Sequence, residues 1–169
     1  GGILFFEFKD VNQAAGQADP TIVSPINFTA IFSEAVSSFG AGDITLSGTA
    51  GPTTFVITEV APMNGTTYNM AVSGMATFGT VSAVVVSGAA VDAAGNFNVA
   101  GSTSTDNTVT FNMSPTITSC PANQTVNAAP GQCTAPVSFN VTATGLPTPT
   151  VTCKIGATTI TSPHNFPLG

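Results

Sequence analysis

Few residues of this 169-residue chain can do acid–base or nucleophilic chemistry. The only histidine is His164, in a proline-rich stretch near the last residue, and the only other bases are Lys9 and Lys154. A hydroxyl or thiol nucleophile needs a neighbouring base to take its proton, and a lone imidazole in such a stretch reads as solvated. The eight carboxylates are Glu7, Asp10, Asp19, Glu34, Asp43, Glu59, Asp92 and Asp106. Counting leaves a glycosidase-type carboxylate pair open, but these acids fall mainly in turns and at strand edges. No GxSxG, P-loop or HExxH sequence occurs. The expectation is a protein that is not an enzyme.

Calcium is the metal to weigh, because turns supply carboxylates and carbonyls together. Asp92 and Asn96 share one tight turn, and Asp106 precedes a candidate strand. These three are the candidate ligands, and calcium is the one candidate cofactor. The alternative is that Asp and Asn here only make Asx-turns. No DxDxDG loop is present. Asn27, Asn64, Asn112, Asn123 and Asn140 fit the N-x-Ser/Thr pattern, a pattern that a Thr- and Asn-rich chain also meets by chance.

Composition narrows the class. Charged residues make up 6% of the chain and the net charge is −6. Nucleic-acid binding needs clustered Lys and Arg, and attraction to anionic lipid needs the same; both are excluded as expectations. Hydrophobic residues reach 43%, too many for a disordered chain. No apolar run is long enough to span a bilayer, so no membrane insertion is expected. No signal peptide is visible, and a start at Gly1 suits a processed segment. A surface of Thr, Ser, Asn, Gly and Ala suits an extracellular or cell-surface protein.

The elements that must position these residues are strands. Runs rich in Val, Ile, Thr and Phe recur about 8 to 12 residues apart between Gly, Pro, Asn and Asp, the spacing of a sandwich or barrel. The candidates are Ile3–Phe8, Ile26–Phe32, Ile44–Ser47, Thr54–Glu59, Thr67–Val72, Gly79–Val86 and Thr108–Asn112. Asn64-Gly65 is a hairpin signal. Ile26, Phe28, Ala30 and Phe32 alternate with other residues and predict one buried face. A boundary is expected at Met113-Ser114-Pro115. Beyond it lie the candidate strands Thr116–Thr118, Thr125–Asn127, Pro136–Val141, Thr150–Ile155 and Thr158–Thr161. That segment is short of the roughly 100 residues of a full sandwich.

Two stretches carry a resemblance. Val11-Asn12-Gln13-Ala14-Ala15-Gly16-Gln17-Ala18-Asp19-Pro20, Ser24-Pro25-Ile26-Asn27-Phe28, Phe32-Ser33-Glu34-Ala35-Val36, Gly42-Asp43-Ile44-Thr45-Leu46-Ser47-Gly48, Asp92-Ala93-Ala94-Gly95-Asn96 and Ser104-Thr105-Asp106-Asn107-Thr108-Val109 together resemble the bacterial immunoglobulin-like repeats of surface adhesins. Ser119-Cys120-Pro121-Ala122-Asn123, Val126-Asn127-Ala128, Pro130-Gly131-Gln132-Cys133 and Pro149-Thr150-Val151-Thr152-Cys153 look like the start of a hyalin-repeat domain. The resemblance implies all-β tandem immunoglobulin-like sandwiches, the second incomplete, with Phe166-Pro167-Leu168-Gly169 as a turn before further strands. It also permits calcium at domain ends. The expected organisation is an apolar N-terminal strand over 1–9, an immunoglobulin-like domain over 10–113 and a partial hyalin-like domain over 114–169.

All three cysteines, Cys120, Cys133 and Cys153, fall in the second segment, without zinc spacing. Cys120 and Cys133 would begin successive strands. If those run antiparallel, their starts lie too far apart to bridge. Cys153, late in the next strand, would return to the end holding Cys133, so a Cys133–Cys153 disulfide is expected. Cys120 would pair with a cysteine beyond the chain or stay a thiol.

Ile3-Leu4-Phe5-Phe6-Glu7-Phe8 is the most apolar run present. Such a strand, exposed, invites edge pairing. Its complement would be the incomplete second domain. Residues 2–9 of one copy could complete the sandwich of the next, and a contact that does not close makes a filament. Ile3, Leu4, Phe5, Phe6 and Phe8 are the expected assembly residues. The alternative to a head-to-tail homopolymer is a stalk or ligand-binding module in a large adhesin, beside neighbouring adhesin domains. The absence of Trp and a single tyrosine, Tyr68, leave few sugar-stacking platforms and favour the structural class. An enzyme accessory domain is a third class.

Overall fold

The computed structural model describes residues 8–101, 104 and 106–167. The chain is all-β, with no α-helix among the described residues. It divides into two compact units, Gly1–Asn112 and Met113–Gly169. Met113 falls on the second side, where its carbonyl accepts from the Leu146 N–H at 3.2 Å. The sequence reading put it one residue the other way.

Among the described residues the first unit holds nine strands: β1 (Phe8–Gln13), β2 (Ile26–Phe32), β3 (Val36–Ser37), β4 (Ile44–Ser47), β5 (Thr54–Glu59), β6 (Thr67–Ser73), β7 (Gly79–Val85), β8 (Val91–Asp92) and β9 (Thr108–Phe111). Four form one antiparallel sheet in the order β1-β2-β6-β5. Three form another in the order β4-β7-β9. A short β3-β8 ladder stands apart. The alternation in β2 is realised: Ile26, Phe28, Ala30 and Phe32 are buried. Phe28 lies opposite Met70, and Ile26 opposite Val72.

One apolar cluster joins the two sheets. Val11, Ile26, Phe28, Met70 and Val72 come from the first, and Ile44, Val81, Val85 and Val109 from the second. Full burial of each large side chain contributes about 1.5–3 kcal/mol, so this cluster is the main source of the unit's stability. The Asn64-Gly65 signal sits where expected, between β5 and β6. Asn64 Oδ1 accepts from the Thr66 N–H and hydroxyl at 3.2 and 2.6 Å, and Gly65 takes φ +80°.

Gly48 follows β4 where the chain passes hard against β7. Its φ is +119°, and a Cβ there would stand 2.1 Å from the Thr80 carbonyl oxygen. Gly48→Ala would combine strain with a backbone collision. Thermal denaturation should show a clear loss of Tm, whereas Gly16→Ala, which has no neighbour within 4 Å of a new Cβ, should lose much less.

A second, aromatic cluster closes around β1. Phe8 meets Phe32 edge-on at 5.0 Å, Phe32 meets Phe39 at 5.1 Å, and Tyr68 lies 5.1 Å from Phe39. Such edge-to-face pairs each add about 0.5–1.5 kcal/mol beyond area burial. The Tyr68 hydroxyl donates to the Val36 carbonyl at 3.4 Å. Burial, and secondarily the Glu59 charge, raises its pKa above the usual phenol value. Phe8 also pairs with Phe32 in the β1-β2 ladder. This corrects the expected 1–9 strand: Phe8 and Lys9 belong to β1 of their own unit, because Phe8 is held by ladder and ring contacts together. Ile3, Leu4, Phe5 and Phe6 lie outside the described residues.

Among the described residues the second unit holds three two-stranded ribbons. They pair β10 (Thr116–Ser119) with β12 (Thr142–Thr144), β11 (Thr134–Val137) with β15 (His164–Pro167), and β13 (Cys153–Ile155) with β14 (Thr158–Ile160). Ala135 is its one buried hydrophobic among the described residues. Ile117, Val126, Val151 and Ile155 are exposed. Thr125–Asn127 forms no strand. Phe166 and Pro167, expected in a turn, instead belong to β15, where they pair with Ala135 and Thr134.

Candidate functional site

The second unit carries an open, mostly apolar groove of about 670 Å³. Val137 comes from β11, Ile155 from β13, Ile160 from β14 and Phe166 from β15, with Phe139 and Val141 on the segment after β11. The alternation at 137, 139 and 141 puts all three on one face, and each is half-buried. A smaller recess of about 320 Å³ shares Phe139, Val141, Cys153 and Ile160. The floor is thin because Ala135 is the only wholly covered apolar residue there.

Backbone beside the groove is held by side chains where a strand neighbour would otherwise hold it. The Phe139 N–H donates to Ser162 Oγ at 2.8 Å, and Gln124 Nε2 donates to the Ser138 carbonyl at 2.9 Å. Among the described residues, β11 has β15 as its only strand neighbour. An extended segment laid along 137–141 would meet apolar side chains, and would gain backbone bonds at 138–139 by displacing the Ser162 and Gln124 side chains, the chemistry of strand addition.

The three cysteines are free. Cys120 and Cys133 are exposed and Cys153 is half-buried in the groove wall. The expected Cys133–Cys153 bond is not formed. Cys133 leads into β11, which runs against β15, while Cys153 opens β13, which runs against β14. The two residues therefore sit on separate ribbons.

Asp92 and Asn96 are brought together, and the contact is an Asx-turn. Asp92 Oδ1 accepts from the Ala94 and Asn96 N–H groups, each at 2.8 Å, and Oδ2 accepts from Asn96 Nδ2 at 2.7 Å. Asp106 belongs elsewhere: its carbonyl accepts from the Gln13 N–H of β1 at 2.7 Å. Among the described residues, no group of three or more His, Cys, Asp or Glu side chains could hold a metal ion. Asp92 carries a lowered pKa, chiefly from the Asn96 side-chain bond and then the Asn96 backbone bond. A carboxyl with a depressed folded pKa stabilises above its unfolded value and loses that contribution as pH falls through the folded one. Asp92→Asn should therefore lower Tm at neutral pH, with a smaller penalty in acid. Thermal melts across the acid range would read it.

His164 lies edge-on to Phe166, 4.9 Å between ring centroids, on β15. Compared with known proteins, the chain matches no protein-family model, no curated protein and no solved structure. The groove residues Phe139, Val141, Ile160 and Phe166 do not stand out in the sequence. The period-2 spacing at 137, 139 and 141 is the available signal, and it lies within the candidate strand Pro136–Val141, of which β11 takes only 136 and 137.

Proposed function

We propose that this chain is a subunit of an extracellular filament, assembled head-to-tail when the segment before β1 of one copy adds as a strand to the second unit of the next. The observation that carries the reading is the open apolar groove, flanked by backbone that has no strand neighbour on that side among the described residues. Its counterpart is Ile3-Leu4-Phe5-Phe6, the most apolar run in the chain, placed directly before β1. Phe8 is fixed in its own sheet, so the donated segment is residues 1–7. Extended, seven residues reach roughly 23 Å, enough to line a groove of this size.

In this reading both units are immunoglobulin-like. The first has the β1-β2-β6-β5 order facing β4-β7-β9, which corresponds to the ABED and CFG sheets of a constant-type sandwich. The second would be a hyalin-like module whose core is completed by the incoming strand. A stalk module of a surface adhesin is the second reading. It is favoured by the first unit's enclosed core, which needs no partner.

The test uses a synthetic peptide of residues 1–8 and the chain lacking residues 1–7. Amide NMR shifts should concentrate at Phe139, Val141 and Ile160 as peptide is added. Unchanged spectra at peptide excess would reject strand donation.

A further inference from the structure

The ionisable groups are divided unevenly between the units. All eight carboxylates and Lys9 lie in Gly1–Asn112, a net −7, whereas Met113–Gly169 holds Lys154 and no carboxylate, a net +1. That single lysine is in the groove wall, on β13 between Cys153 and Ile155. The donor segment also carries a single charged side chain, Glu7. The only cation of one partner surface and the only anion of the other thus fall to the same contact.

We propose that Glu7 of an incoming copy pairs with Lys154 at the rim of the groove, and that this pair fixes the register and polarity of strand addition. The inference rests on the strand-donation reading. Within an extended strand, Leu4 and Phe6 share one face and Glu7 lies on the other. Insertion of Leu4 and Phe6 therefore leaves Glu7 facing away from the apolar floor. Glu7 is also the last residue before β1, the root of the donated segment, so its partner must lie at the mouth of the groove. Lys154, exposed on β13, meets that requirement.

A slip of one residue would turn Leu4 and Phe6 outward. A uniformly apolar run offers little to prevent it, since Ile3 and Phe5 are equally oily. A charge at one end supplies the missing discrimination. Exposed ion pairs add little affinity; their effect is on encounter rate and on rejection of wrong pairings. The remaining seven acids extend the same complementarity. They make the first unit as a whole attract the net-positive second unit of its neighbour, and repel another first unit.

The experiment compares elongation by light scattering for the unaltered chain, Glu7→Lys, Lys154→Glu and the double reversal. At low salt each single reversal should slow elongation about tenfold, and the double reversal should restore most of it. Raising salt to a Debye length of about 3 Å should shrink all differences. Single reversals without effect, or a double reversal as slow as either, would overturn the pair while leaving strand donation standing. Failure of the unaltered chain to assemble, with no binding of the 1–8 peptide, would remove the underlying reading and the pair together.

Discussion

Replacing Leu4 and Phe6 together by Asp should abolish filament growth. Under strand donation both side chains enter the groove lined by Phe139, Val141, Ile160 and Phe166. That groove offers no cation on its apolar floor. Burial of an unpaired carboxylate costs several kcal/mol even after relaxation. Each 1.4 kcal/mol is tenfold in binding, so the affinity for addition should fall by about a thousandfold or more. Ile3 and Phe5 lie on the other face, and changing both to Thr should cost far less. Sedimentation of assembled material reads the difference. Equal pelleting of the two variants would show that no defined face of the segment is buried.

The second large effect lies in the first unit. Phe28 is wholly buried at the centre of β2, opposite Met70, in the cluster that joins both sheets. Phe28→Ala removes most of a ring from a packed interior and should cost about 3–5 kcal/mol. Domain stabilities run about 5–15 kcal/mol, so the first unit should become marginal. Urea titration would show its midpoint collapsing while the slope stays constant. A loss under about 1 kcal/mol would mean that the two sheets do not share this core. Because the groove belongs to the other unit, binding of the 1–8 peptide should survive the substitution.

Much of the first unit is legible in the sequence because its signals agree. β2, β4 and β5 lie at the residues that alternation and turn chemistry predict, and β6, β7 and β9 differ by a residue at one end. The two-residue strands β3 and β8 carry too few residues to show a period. β1 escapes for a different reason. Apolarity peaks at Ile3–Phe6, but among the described residues the ladder with β2 runs from Phe8 through Asp10 and Asn12, where polar residues break the apolar pattern. Long-range partners decide it, and no local pattern reports them.

The second unit is less legible. Its strands are three or four residues long, near the limit at which periodicity exists, and they pair β10 with β12 and β11 with β15 across distant sequence. The alternation at Val137, Phe139 and Val141 predicts a strand over Pro136–Val141, but ladder pairing stops at Val137, and the Phe139 N–H goes to Ser162 Oγ instead. At the metal candidates, the Asx-turn alternative accounts for Asp92 and Asn96 bond by bond, and Asp106 is tied to β1 instead.

The most direct measurement of strand donation is negative-stain electron microscopy of the intact chain beside a version lacking residues 1–7. Keeping Phe8 and Lys9 leaves β1 and its aromatic cluster whole, so a loss of assembly cannot be blamed on an unfolded first unit. Strand donation predicts filaments from the intact chain and monomers from the shortened one. Monomers in both, or filaments in both, would contradict it.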